Sequence, residues 1–199
     1  MPRIRLRPRV TAPVLLTVAA ALASVAPAAA APPAPVPRLE LARYLGTWHQ
    51  LAAVPQPFNL DCARDTRAEY ALDPAGDVSV FNSCTTWSGG RNEIRGTATV
   101  NDQDTLAQLH VSFPGVPTQD SRYGATNYIV TALGDEYSWA VVTDPLRLSG
   151  FVLSRTPRLD PAQWGEVRAA IARAGGNDCL YLTSPTTGGL DTVAPLCTT

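Results

Sequence analysis

Between residues 47 and 154, apolar and polar side chains alternate with period two, segment after segment. A half-buried β-strand has this period, and a helix does not. In RAEYALD, Ala68, Tyr70 and Leu72 alternate with Arg67, Glu69 and Ala71, and Asp73-Pro74-Ala75-Gly76 follows as a β-turn. In IRGTATV, Ile94, Gly96, Ala98 and Val100 share one face; in AQLHVSF, Ala107, Leu109, Val111 and Phe113 do. TWHQLAAV, DVSVFNS, TNYIVTAL, YSWAVVTD and SGFVLSR bring the series to eight strands at hairpin spacing, with no helix between them. Residues 85–92 and 114–124 read as loops. Such a meander predicts an all-β fold, either an up-and-down barrel or a sandwich.

One helix follows the strands. Asp160 is placed to cap it, Pro161 fits its first position, and Gln163 can close a capping box. Leu159 and Trp164 stand at hydrophobic-staple positions. Trp164, Val167 and Ile171 form an apolar stripe, and Gly175-Gly176 ends the helix. The stripe needs cover, and the outside of the barrel offers it. A short last strand, CLYLTS, comes next.

The inner faces carry Ala68, Tyr70, Val78, Val80, Ile94, Ala98, Leu109, Val111, Phe113, Ile129, Phe151 and Leu153. An eight-stranded barrel either fills with side chains or holds one small ligand. Small residues at 68, 96 and 98 leave space, while Phe113 and Phe151 take it up. The balance favours an apolar cup, with a filled barrel that presents its loops to a protein as the alternative. Tyr70, Asn82 and Asn127 are the polar groups expected to orient a ligand. No metal or cofactor is expected.

The N-terminal 30 residues read as an export signal. Arg3, Arg5, Arg7 and Arg9 precede an apolar run from about Val14 to Val25, and Ala28-Ala29-Ala30 supplies a cleavage site near Ala30. No cysteine follows the small residues, so a freely secreted chain without a stable membrane anchor is expected. Residues 31–38, rich in proline, read as an extended linker. Residues 39–184 then form the domain and 185–199 a tail. All 16 basic residues are arginines; after removal of the signal, twelve face 17 acidic residues, a net charge near −5. That balance argues against nucleic acid and against an anionic membrane surface. A monomer is expected. The four cysteines, Cys62, Cys84, Cys179 and Cys197, all lie in the exported part, where disulfides are the default.

Catalytic constellations are missing from the sequence. The two histidines, His49 and His110, neighbour inward residues, so alternation turns both outward to the surface. There is no G-x-S-x-G elbow and no P-loop. Asp102 and Asp104 sit in a turn sequence. By alternation no acid or histidine points inward, which disfavours the other alternative, an enzyme of lipid or isoprenoid chemistry on the same barrel.

The chain resembles the lipocalins, in particular their bacterial and apolipoprotein D-like branch. The G-x-W signature is matched by Gly46-Thr47-Trp48, and FVLSRTP (151–157) matches the strand end where the family places an arginine. YLGTW, a Y-x-L strand, VSVFNS and LSRTP recur in the family's order. One departure lies in TALGDEYSW, where Asp135 and Tyr137 approximate the family's T-D-Y motif with Glu136 inserted. The resemblance implies an eight-stranded up-and-down barrel with a C-terminal helix outside. It also implies binding of a small hydrophobic molecule (a lipid, fatty acid or isoprenoid-like compound), for transport or sequestration. Trp48 would plug the closed end with Arg155 across its indole face, Gly46 would permit the tight bend, and LELARYLG would cap that end as a helical turn.

Two disulfide pairings remain open at this point. Proximity along the meander favours Cys62–Cys84 and Cys179–Cys197. A regular hairpin about residues 73–76 would pair Leu72 with Asp77 and set Cys84 opposite Asp65, and a bulge before Arg67 would restore the match. The resemblance instead implies a tie from the second strand to the tail, Cys62–Cys197.

Overall fold

The computed structural model describes residues 31–199. The export signal and its cleavage near Ala30 lie outside the described residues. Eight antiparallel strands run in chain order: β1 (Gly46–Ala53), β2 (Cys62–Leu72), β3 (Val78–Thr86), β4 (Arg91–Val100), β5 (Gln108–Ser112), β6 (Tyr128–Leu133), β7 (Trp139–Thr143) and β8 (Gly150–Ser154). Each pairs with the next, and β1 pairs with both β8 and β2, which closes the barrel. A two-residue strand, β9 (Leu182–Thr183), adds to the outer edge of β1. A short helix, α1 (Leu41–Tyr44), precedes β1, and α2 (Pro161–Arg173) follows β8.

The helix forms where its signals stand. The Asp160 carboxylate accepts from the Gln163 amide at 2.8 Å, and the Gln163 side chain accepts from the Asp160 amide at 3.0 Å. Its buried stripe of Trp164, Val167, Ala170 and Ile171 packs on Leu51, Trp139, Val141 and Val152, the outward faces of β1, β7 and β8. A second cluster fills one end of the barrel: Trp48, Tyr44, Leu39, Val130, Ala140, Val142 and Leu153.

Four expectations are corrected here. Residues 31–38 are not a free linker. Val36 is buried in the closed-end cluster and its amide donates to the Val130 carbonyl at 2.8 Å. The tail is likewise part of the domain, with Leu196 and Thr186 buried and Pro195 bridging to Leu182. The loop expected over residues 85–92 is shorter: β3 runs to Thr86 and β4 starts at Arg91, so only residues 87–90 form the turn, with Thr85 paired to Arg91. The β2–β3 hairpin is one residue longer than expected, pairing Leu72 with Val78. The Asp73 carboxylate accepts from the amides of Ala75 and Asp77, which shapes the wider turn.

Cys62 is bonded to Cys84 and Cys179 to Cys197. The register of β2 against β3 shifts between Arg64 and Arg67, and Asp65 there adopts a left-handed backbone (φ 56°). This bulge brings Cys62 beside Cys84. The Asp65 carboxylate accepts from both the amide (2.7 Å) and the hydroxyl (2.9 Å) of Thr187, so the tail holds the bulge in place.

Candidate functional site: a one-ended apolar cavity

The closed end is built around Trp48, which is fully buried. Its indole N–H donates to the Tyr44 carbonyl at 2.8 Å, tying the strand to α1. The Arg155 guanidinium lies 3.6 Å from the centre of the indole face. It also donates to the main-chain carbonyls of Thr47 (2.9 Å) and Arg43 (2.6 Å). The Arg43 carbonyl belongs to the last turn of α1, where helical carbonyls lack partners. Gly46 sits at φ 92°, a left-handed conformation that other residues rarely adopt, beside the Arg155 guanidinium. At the same end Tyr137 accepts from the Glu40 amide at 2.9 Å, and Arg43 lies over its ring.

Above this plug lies a cavity of about 720 Å³, so the barrel is not filled. That volume falls in the range of small-molecule sites, roughly 300–1,000 Å³. From β2 it receives Ala68 and Tyr70; from β3, Val80 and Asn82; from β4, Ile94 and Ala98. Leu109 and Val111 on β5, Phe113 just beyond it, Asn127 and Phe151 also line it. Gly96 lets the Phe113 ring lie against β4, since a Cβ there would come within 2.6 Å of the ring.

Ile129 does not line the cavity and is corrected. Leu109, which points inward, pairs with Tyr128, and cross-strand partners share a face. Tyr128 and Val130 therefore face inward and Ile129 is buried on the other face of β6. Asn127 borders the cavity but its amide is already engaged. It accepts from the Val111 amide at 2.7 Å and donates to the Val111 carbonyl at 2.8 Å, prolonging the short β5–β6 ladder. Asn82 keeps a buried amide oxygen with no hydrogen-bond partner among the described residues.

The outward histidines also differ from expectation. His110 is buried, roofed by the loop that follows β5, with ring nitrogens 2.7 Å from the Ala125 carbonyl and 2.9 Å from the Ser121 carbonyl. His49 is half-buried, and burial, then the nearby Arg67 charge, lowers its pKa. Two acids that alternation kept out of the pocket, Glu93 and Asp144, border its mouth. Glu93 pairs with Arg91 at 2.5 Å, and Asp144 accepts from the Leu146 amide at 2.7 Å. Both are engaged locally.

Sequence reasoning missed two groups. One is at the floor: Tyr44 and Tyr128 join Tyr70, with hydroxyl separations of 2.7 Å (Tyr44–Tyr128) and 3.2 Å (Tyr70–Tyr128). Burial pushes the Tyr70 phenol up to about 12 and the other two well above the usual tyrosine value. Tyr128 could have been found from the other phase of TNYIVTAL, in which residues 128, 130 and 132 are all apolar or aromatic. The other group is at the mouth. Phe58 and Leu60, Trp87, and Leu146 and Leu148 are exposed on three loops at the open end, β1–β2, β3–β4 and β7–β8. The Trp87 indole N–H donates to the Leu60 carbonyl at 2.8 Å, joining two of them.

A closed antiparallel barrel, plugged at one end and hollow at the other with a helix on its flank, defines the class of cup-shaped β-barrels. A family model for a lipocalin-like domain matches residues 39–185. The outer membrane lipoprotein Blc of Escherichia coli is 33% identical over 165 residues, which span 79% of this chain and 89% of that one. Temperature-induced lipocalin-1 of Arabidopsis thaliana is 34% identical over 124 residues, 61% of this chain and 66% of that one. Among solved structures, insecticyanin from the tobacco hornworm Manduca sexta shares the fold, with a TM-score of 0.57 at 18% identity over 81% of this chain and 92% of that one. The chain belongs to the lipocalin family, whose members in general bind hydrophobic molecules and are not enzymes.

Proposed function

We propose that this lipocalin binds one small hydrophobic molecule in its barrel, as a monomer outside the cytoplasm, and carries or sequesters it. The observation that carries this reading is the hollow, largely apolar cavity with one apolar-rimmed mouth. Burial of apolar ligand surface supplies the affinity, about 25 cal/mol per Å². Two disulfides and the likeness to an outer membrane lipoprotein support an extracytoplasmic location. Titration with diphenylhexatriene, a hydrocarbon fluorophore, tests the site. One probe per chain is expected, with clear weakening in Leu109→Asp and Phe113→Asp. Equal binding by those variants in folded form refutes the cavity as the site.

A further inference from the structure

The floor of the cavity carries an unbalanced set of hydrogen-bond donors. Three phenols, Tyr44, Tyr70 and Tyr128, place their hydroxyls in a chain with Tyr128 in the middle. The rings of Tyr44 and Tyr70 are stacked, 11° from parallel, and both hydroxyls reach that of Tyr128. Each hydroxyl has one proton to donate. The chain contains two hydrogen bonds, so two protons are used and one is left, whichever way the bonds run. Among the described residues no other acceptor lies within reach of these hydroxyls. All three residues line the cavity. A surplus donor in an apolar pocket has a cost that a ligand acceptor removes.

The acceptor's charge follows from what surrounds it. Arg155 acts electrostatically on Tyr44 and Tyr70, but it lies across Trp48 and donates to the carbonyls of Thr47 and Arg43. Among the described residues no cationic side chain hydrogen-bonds to the three hydroxyls. A carboxylate at the floor would be desolvated without a direct counter-ion, an expensive arrangement. A neutral carbonyl needs only the one spare proton. Resting on the carrier reading above, the geometry points to a hydrophobic ligand that ends in a neutral carbonyl, bound oxygen-first against the Tyr44–Tyr128–Tyr70 floor. The hydrocarbon part then fills the wall formed by Val80, Ala98, Leu109 and Phe113.

The test uses prodan, a naphthyl ketone whose emission moves to longer wavelength when its carbonyl accepts a hydrogen bond. The parent protein should bind prodan with emission to the red of that in a dry hydrocarbon. The variant Tyr44→Phe/Tyr70→Phe/Tyr128→Phe keeps the rings and loses all three donors. It should bind about three- to tenfold more weakly, the worth of one hydrogen bond, with blue-shifted emission. Tyr128→Phe alone should keep the red emission, because it leaves Tyr44 and Tyr70 each with a free proton. Competition on the unmodified protein gives a readout independent of any variant's folding. Methyl undecyl ketone should displace diphenylhexatriene about three- to tenfold better than dodecane, and better than dodecanoate. Unchanged prodan affinity and colour in the folded triple variant, or equal displacement by ketone and hydrocarbon, overturns the floor assignment and leaves the carrier reading standing. Stronger displacement by dodecanoate also overturns it. Failure of the unmodified protein to bind diphenylhexatriene or prodan overturns both.

Discussion

Replacing Arg155 with alanine removes three contacts at once, and the structure sets the size of the loss. The guanidinium sits 3.6 Å over the Trp48 ring, a stack worth about 1–2 kcal/mol when partly shielded from water. Its two hydrogen bonds reach main-chain carbonyls, one of them at the end of α1. Charged hydrogen bonds are worth about 1.5–3 kcal/mol when buried. Arg155 is only half-buried, so that range is discounted by at least half. The expected loss is about 2–4 kcal/mol, or about 5–15 °C in Tm for a domain of this size. Arg155→Lys keeps a cation over the ring but loses the planar fork, and should fall about midway. Trp48→Ala should lose about 3–5 kcal/mol. Urea and thermal unfolding followed by far-UV circular dichroism measure all three. Neither side chain lines the cavity, so the folded variants should still take up diphenylhexatriene. Parental melting in Arg155→Ala, or no difference between lysine and parent, refutes the assigned role of the plug.

Two further predictions follow from the barrel wall and floor. Gly96→Ala places a methyl group against the Ser112 carbonyl and the Phe113 ring, and should cost about 1–3 kcal/mol while pushing Phe113 into the cavity; parental stability and probe binding would contradict this. The phenols of Tyr44, Tyr70 and Tyr128 have folded pKa values above the unfolded value of about 10, so their contribution to stability is intact below pH 10 and is lost as pH rises towards 12. Urea midpoints should therefore fall over that interval, less steeply in the triple phenylalanine variant. Full phenolate absorbance from all six tyrosines near pH 10.5 in still-folded protein would refute it.

Much of the barrel was legible because alternation is a strong signal wherever one face of a strand is buried. It read the walls of β2 to β5 correctly and mis-set the phase of β6, where Tyr128 and Ile129 are both plausible inward residues. Only the pairing of Tyr128 with Leu109 decides between them. Tyr44 stands on a helical turn, outside any period-two pattern, so alternation carries no signal for it. Composition misled at residues 31–38. Proline marks extended chain, but whether that chain is free or docked depends on Val36 and Leu39 finding a distant cluster. His110 shows the same limit: alternation gave its face correctly and could not show that a loop would cover it. The hairpin register missed by one residue because the Asp73 carboxylate organises a wider turn than Asp-Pro-Ala-Gly implies.

The plug of Trp48, Arg155 and α1 has a kinetic consequence. A barrel sealed at one end has a single door, so whatever enters must reverse its path to leave. The protein is a vessel and not a conduit. A second molecule cannot push the first out from behind, and exchange cannot run faster than the mouth empties. The residence time of a bound molecule is then governed by the loops around Phe58, Trp87 and Leu146. Any molecule bound in the cavity has to leave through the same opening by which it entered.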